Sequence, residues 1–117
     1  MKTIRVILSP EATEVYKYLN EHAAHSKHEQ SFLNAVNRKI ELIKTNAHYG
    51  NPIAKRLIPQ EYKVKYGANN LFRVELPNYW RMLYTLTEGE SQVEIIAFVL
   101  DLIDHHAYDR KFGYRGR

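Results

Sequence analysis

The spacing of apolar residues along this chain passes from alternating to helical and back again. Ile4-Arg5-Val6-Ile7-Leu8 is short, β-branched and bounded by Ser9-Pro10, which predicts a first strand. Ser9 then offers an N-cap and Pro10 suits the first helical position. Ala12, Val15, Tyr16, Leu19 and Ala23 recur at helical spacing, so a helix is predicted over roughly 11–24. A second start signal follows at once. Ser26 and Glu29 have the spacing of a capping box, and Phe32, Val36, Ile40, Ile43 and Ala47 continue at intervals of three and four. The two segments form a predicted helical hairpin.

His48-Tyr49-Gly50-Asn51-Pro52 is turn chemistry and ends the helical part. Ile53 to Asn70 shows only weak periodicity. Within it Tyr62, Val64 and Tyr66 alternate with Lys63 and Lys65, as in an edge strand or an ordered loop. Leu71–Leu76, the Pro77-Asn78 break and Tyr79–Leu86 read as a β-hairpin, and the turn Glu88-Gly89-Glu90-Ser91 leads to a last strand, Val93–Ile103. The unbroken apolar run Ile95–Leu100 gives that strand a central position, covered on both faces. Asp104 can cap a short helix that begins at His105 and ends at Gly113. The expected fold is therefore α+β, in the order β-α-α-β-β-β with a short C-terminal helix. Two N-terminal helices pack on one face of a mostly antiparallel, four-stranded sheet and leave the other face open.

A chain of 117 residues fits a single domain, 1–117, with a core of its own. Cysteine is absent, which excludes disulfides, thiolate metal sites and a cysteine nucleophile, and suits a reducing cytoplasm. The start of the sequence lacks the apolar stretch of a signal peptide, and Ile95–Leu100 is too short to span a bilayer, so a cytoplasmic protein is expected, without a membrane partner. The formal net charge is +4. Its distribution says more: Lys55, Arg56, Lys63, Lys65 and Arg73 lie in a stretch whose one acid is Glu61, and Arg110, Lys111, Arg115 and Arg117 close the chain. Two basic zones flanking a sheet suit a polyanion such as RNA.

Alternation places Tyr79, Arg81 and Leu83 opposite Trp80, Met82 and Tyr84. If the latter pack on the helices, Arg81 projects from the other face, where its guanidinium can hold a phosphate or pair with Glu75 across the hairpin. Arg73 on the neighbouring strand faces the same choice. In the tail, His105, Tyr108 and Phe112 share one side of the predicted helix. His105 is there either a candidate acid or base or a solvated cap residue, and Tyr108 with Phe112 can seal the core edge. Asp101, His105 and Asp109 could also be read as metal ligands, but adjacent histidines point apart and no His-x-x-x-His or cysteine pair supports them, so no metal is expected. The chain has no Gly-rich nucleotide loop and no Gly-x-Ser-x-Gly elbow, so no cofactor is implied.

The hairpin LFRVELPNYWRMLYTL, followed by VEIIAFVLDLIDHHAYDR, resembles the RelE/ParE toxin superfamily of type II toxin-antitoxin systems, and YGNPIAKRL is similar to that family's turn before the sheet. The resemblance spans nearly the whole chain. It implies a toxin that cleaves messenger RNA in the ribosomal A site without a metal, by attack of the ribose 2′-hydroxyl on the adjacent phosphate, and that a cognate antitoxin neutralises. It further implies Arg81 as the phosphate-stabilising arginine, Arg73 as a basic position on the preceding strand, His105 as general acid or base, and Tyr108 as the tail residue that stacks or assists proton transfer, with Tyr114 its competitor. Lys63 and Lys65 would contact RNA backbone, and Lys55, Arg56, Arg110 and Lys111 of the basic zones are further candidates. The chain departs from the family pattern at His106 and Glu75, where basic residues are common, and the general base has no assigned residue. The ParE branch of the same superfamily, whose target is DNA gyrase, is the alternative, together with an inactive binding protein of the same fold.

Overall fold

Ser9 ends the first strand and starts the first helix. β1 (Thr3–Leu8) runs directly into α1 (Pro10–His22), and the Ser9 hydroxyl accepts the Ala12 N–H at 3.0 Å, as its position before Pro10 predicts. Ser26 caps α2 (Lys27–Thr45) in the same way, accepting the Glu29 N–H at 3.3 Å, and its hydroxyl donates to the Glu29 carboxylate. The computed structural model describes residues 3–89 and 94–113; Glu90 and Ser91 of the predicted turn, Val93, Tyr114, Arg115 and Arg117 lie outside them.

β2 (Asn51–Pro52), β3 (Phe72–Glu75), β4 (Trp80–Glu88) and β5 (Glu94–Asp104) complete a mixed sheet in the order β1-β5-β4-β3-β2. Only β1 and β5 are parallel; the other neighbours are antiparallel. The sheet has five strands, not the expected four, because Asn51 and Pro52 pair with Arg73 and Phe72 and add a short edge. Proline is tolerated there, since an edge strand need not donate outward. β5 lies between β1 and β4, the central position that its apolar run predicts.

One sheet face packs on the helical hairpin: Phe72, Val74, Met82, Tyr84, Ala97, Val99 and Leu102 meet Ala12, Leu19, Phe32, Val36 and Ile43. The opposite face is not open. Leu83 and Leu100 pack there with Ile58, Tyr62, Ala68, Leu71 and Tyr108, which come from α3 (Gln60–Tyr66), its flanking segments and α4 (His105–Phe112). The expected edge strand at 62–66 is therefore a helix. Its apparent alternation over so short a run was compatible with both periods: Tyr62 and Tyr66 stand one helical turn apart on the buried side, and Val64 between them is 76% exposed. Gly67 ends α3 in the left-handed conformation.

A β-bulge adjusts the central strand. Leu83 pairs with Asp101 but Tyr84 with Val99, so Leu100 has no counterpart on β4. Leu100 and Asp101 consequently both serve the α3/α4 face. Ser9 compensates: its N–H donates to the Val99 carbonyl at 2.8 Å and its hydroxyl to the Leu100 carbonyl at 2.6 Å.

Candidate functional site

The register of the β3–β4 hairpin builds the site. Asn78 and Tyr79, both with positive φ, are the central residues of a tight turn closed by the Trp80 N–H on the Pro77 carbonyl, and just outside it the Leu76 N–H donates to the Trp80 carbonyl at 2.9 Å. Glu75 is thereby opposite Arg81 and Arg73 opposite Leu83, all on the α3/α4 face. On the other side of β4, Arg81 is opposite Ile103 and Trp80 opposite Asp104, so α4 begins beside the start of β4. The Asp104 carboxylate accepts the Ala107 N–H at 2.9 Å, and Gly113 closes the helix with φ of 76°. Tyr108, one turn into α4, is laid over the two arginines.

Both guanidinium groups lie against the Tyr108 ring, with centroid distances of 4.9 Å for Arg81 and 5.8 Å for Arg73. Arg73 Nη1 donates to the Tyr108 hydroxyl at 3.2 Å. A single carboxylate oxygen, Glu75 Oε2, sits 3.4 Å from Arg73 Nε and 3.3 Å from Arg81 Nε. The Arg81 side chain is 18% exposed, and its Nη1 donates to the Tyr79 carbonyl at 2.8 Å. Phe112 stacks on Tyr108 with ring centroids 4.3 Å apart. Of the two partners expected for Arg81, the structure shows Glu75, whose carboxylate lies between the two arginines.

His105 opens α4 at the rim of this cluster. Its ring meets Tyr79 edge-on at 5.5 Å and lies 3.9 Å from His106, while its buried Nδ1 has no hydrogen-bond partner among the described residues. Asp101 faces elsewhere: it accepts from the Tyr62 hydroxyl at 2.6 Å and lies 3.7 Å from Lys111 Nζ. No group of three or more His, Asp or Glu that could hold a metal ion occurs among the described residues. Burial pushes the Asp101 carboxyl above its usual range against the opposing pull of Tyr62 and Lys111, and burial, then Asp101, pushes the Tyr62 phenol up.

The basic residues divide. Lys111 is engaged with Glu61, Asp101 and the Tyr62 ring, and Lys65 with Glu11 of α1 and the Tyr66 ring. Lys55, Arg56, Lys63 and Arg110 are exposed. Arg73 and Glu75 also line an open groove of about 240 Å³ with Lys39, Tyr49, Gly50 and Asn51, in which Lys39 Nζ donates to the Tyr49 hydroxyl at 3.0 Å. Sequence reasoning missed Lys39, Tyr49 and Tyr79 at the site. The turn at Asn78 was the available signal for Tyr79, whereas Lys39 depends on how α2 crosses the sheet.

The arrangement is an α+β domain in which two arginines bridged by Glu75, a tyrosine and a histidine converge at a strand–helix junction. No protein-family model, curated protein or solved structure matches this chain.

Proposed function

We propose that the protein is a metal-independent endoribonuclease that cleaves messenger RNA on the ribosome, acting as the toxin of a toxin-antitoxin pair in the cytoplasm. The observation that carries this reading is the convergence of Arg73 and Arg81 on one Tyr108 ring beside His105. In such cleavage the 2′-oxygen attacks the adjacent phosphorus, the bond to the 5′-oxygen breaks, and a 2′,3′-cyclic phosphate and a 5′-hydroxyl result. The protein must align the 2′-oxygen, take its proton, stabilise the dianionic phosphorane and return a proton to the leaving oxygen.

Arg81 and Arg73 supply the charge. Their Nε atoms stand 3.4 and 3.3 Å from one carboxylate oxygen, and a phosphodiester that displaces Glu75 takes its place between two guanidinium charges. Glu75 is 54% exposed and leaves at low cost. His105 stands at the rim as the proton-transfer group, and the Tyr108 hydroxyl, held by Arg73, is a second donor. Lys39, in the adjoining groove, and exposed Lys55, Arg56, Lys63 and Arg110 give the RNA backbone a basic approach. An antitoxin that covers this cluster is the partner the reading requires.

The test is primer-extension mapping of cleavage on programmed ribosomes, with chelator present and with naked RNA as control. Cuts at A-site codons that disappear in Arg81→Ala support the nuclease. Absence of cutting together with inhibition of DNA gyrase in a supercoiling assay overturns it in favour of a gyrase inhibitor.

A further inference from the structure

The turn that sets the hairpin register contains a residue its backbone does not favour. Asn78 and Tyr79 have φ of 60° and 63°, and they are the non-glycine residues with positive φ among those described. Asparagine is at home in the first position of such a turn, but the second usually belongs to glycine, and a bulky side chain there is an outlier whose persistence points to use. Burial does not offset the strain, because Tyr79 is 74% exposed. Its surroundings are those of the proposed active site. The Tyr79 carbonyl holds Arg81 Nη1 at 2.8 Å, and the ring meets His105 edge-on, which in turn lies 3.9 Å from His106. A row of three aromatic rings thus starts at Tyr79 and runs beside the two arginines.

We propose that Tyr79 is a nucleobase platform, on whose exposed ring a base next to the scissile phosphate of single-stranded RNA stacks. The inference rests on the ribonuclease reading and extends it from phosphate to base. A guanidinium fixed by the backbone of the same residue that presents the ring couples the two contacts a nucleotide offers, its phosphate and its flat π face. Stacking tolerates any base, so Tyr79 contributes affinity and alignment, not sequence choice. The left-handed backbone keeps the ring outside the core, where a strand residue of ordinary conformation would turn it toward its neighbours.

Tyr79→Gly separates the ring from the fold, since glycine relieves the backbone strain. A short 2′-O-methylated RNA carrying 2-aminopurine binds without being cut, and stacking quenches its fluorescence. The expected result is quenching by the native protein and by Tyr79→Phe, and loss of quenching with about tenfold or more weaker binding in Tyr79→Gly, whose melting temperature is equal to or above native. On ribosomes the glycine variant shows a raised KM for cleavage. Native-like quenching or, where free RNA binds too weakly to read, native-like KM in Tyr79→Gly overturns the platform and leaves the nuclease intact. A native protein that neither binds the oligonucleotide nor cuts ribosome-bound RNA overturns both.

Discussion

Arg81 lies over the ring of Tyr108, its guanidinium carbon 4.9 Å from the centroid, and this contact joins β4 to α4. Strand register supplies one partner and the Asp104 cap the other: Trp80 pairs with Asp104, and the helix that Asp104 starts returns Tyr108 over Arg81. The same ring receives Arg73, and the Glu75 carboxylate links the two guanidinium groups from below. Two like charges so close are tolerable because an anion and a π face share them.

Arg81→Ala should lower the rate of RNA cleavage by about 10²-fold or more, since the lost donor acts on charge that develops in the transition state. Arg81→Lys should recover little of it, because an ammonium cannot reach Glu75 or a phosphate through Nε while holding the Tyr79 carbonyl through Nη1. Single-turnover cleavage on ribosomes reads both variants. Native rates in Arg81→Ala would remove this cluster from the chemistry.

Glu75→Gln should tighten binding of a non-cleavable RNA several-fold and steepen the salt dependence by about one unit of slope, because a phosphate then meets two arginines with no competing carboxylate. Stability should fall, because the carboxylate that offsets two neighbouring guanidinium charges, one of them only 18% exposed, is lost. Titrations at two salt concentrations measure the first effect and urea unfolding the second. Unchanged affinity and slope would mean that the anion binds elsewhere.

The fold was legible where a local signal and a long-range one agreed. Ser9 and Ser26 cap the helices they precede, Asp104 starts α4, and the apolar run of β5 occupies the centre of the sheet. The α3/α4 face was not legible. Tyr62 and Tyr66 satisfy a two-residue and a helical period alike, and only packing on Leu83, Leu100 and Phe98 selects the helix. Arg73, Arg81, His105 and Tyr108 could each be singled out from residue type and alternation. The meeting of Arg73 and Arg81 on the Tyr108 ring depends on the bulge-shifted β4–β5 register, for which one sequence carries no local mark.

Acid should weaken the tie between α1 and α3. Hydrogen bonds from Lys65, then from Tyr66, hold the Glu11 carboxyl down at about 2, below the ordinary 4.5. Above pH 4.5 the carboxylate is ionised in folded and unfolded chains alike and its contribution is complete; as pH falls from 4.5 toward 2 the unfolded chain takes up the proton first, and that stability is lost. Glu11→Gln should therefore flatten the decline in urea midpoint between pH 5 and pH 3, and added salt should shrink the difference, since the pair is exposed. Equal slopes in native and variant proteins would show that Lys65 and Tyr66 do not hold Glu11 in solution.

Ser9 performs two tasks with one hydroxyl, and its removal should be costlier than loss of an ordinary helix cap. The oxygen accepts the Ala12 N–H and the hydrogen goes to the Leu100 carbonyl, which the bulge leaves without a counterpart on β4, and the residue is fully buried. Ser9→Ala strands a donor and an acceptor where water does not reach. Helix caps contribute about 1 kcal/mol, and a buried unsatisfied group adds a further desolvation cost, so a loss of about 2–3 kcal/mol is expected. A surface cap gives the contrast: Ser26 is only partly buried, and Ser26→Ala should cost about 1 kcal/mol. Urea unfolding of the two variants side by side measures the gap. Equal losses would mean that the Leu100 carbonyl finds another donor when Ser9 is gone, and the bulge would then be independent of the cap.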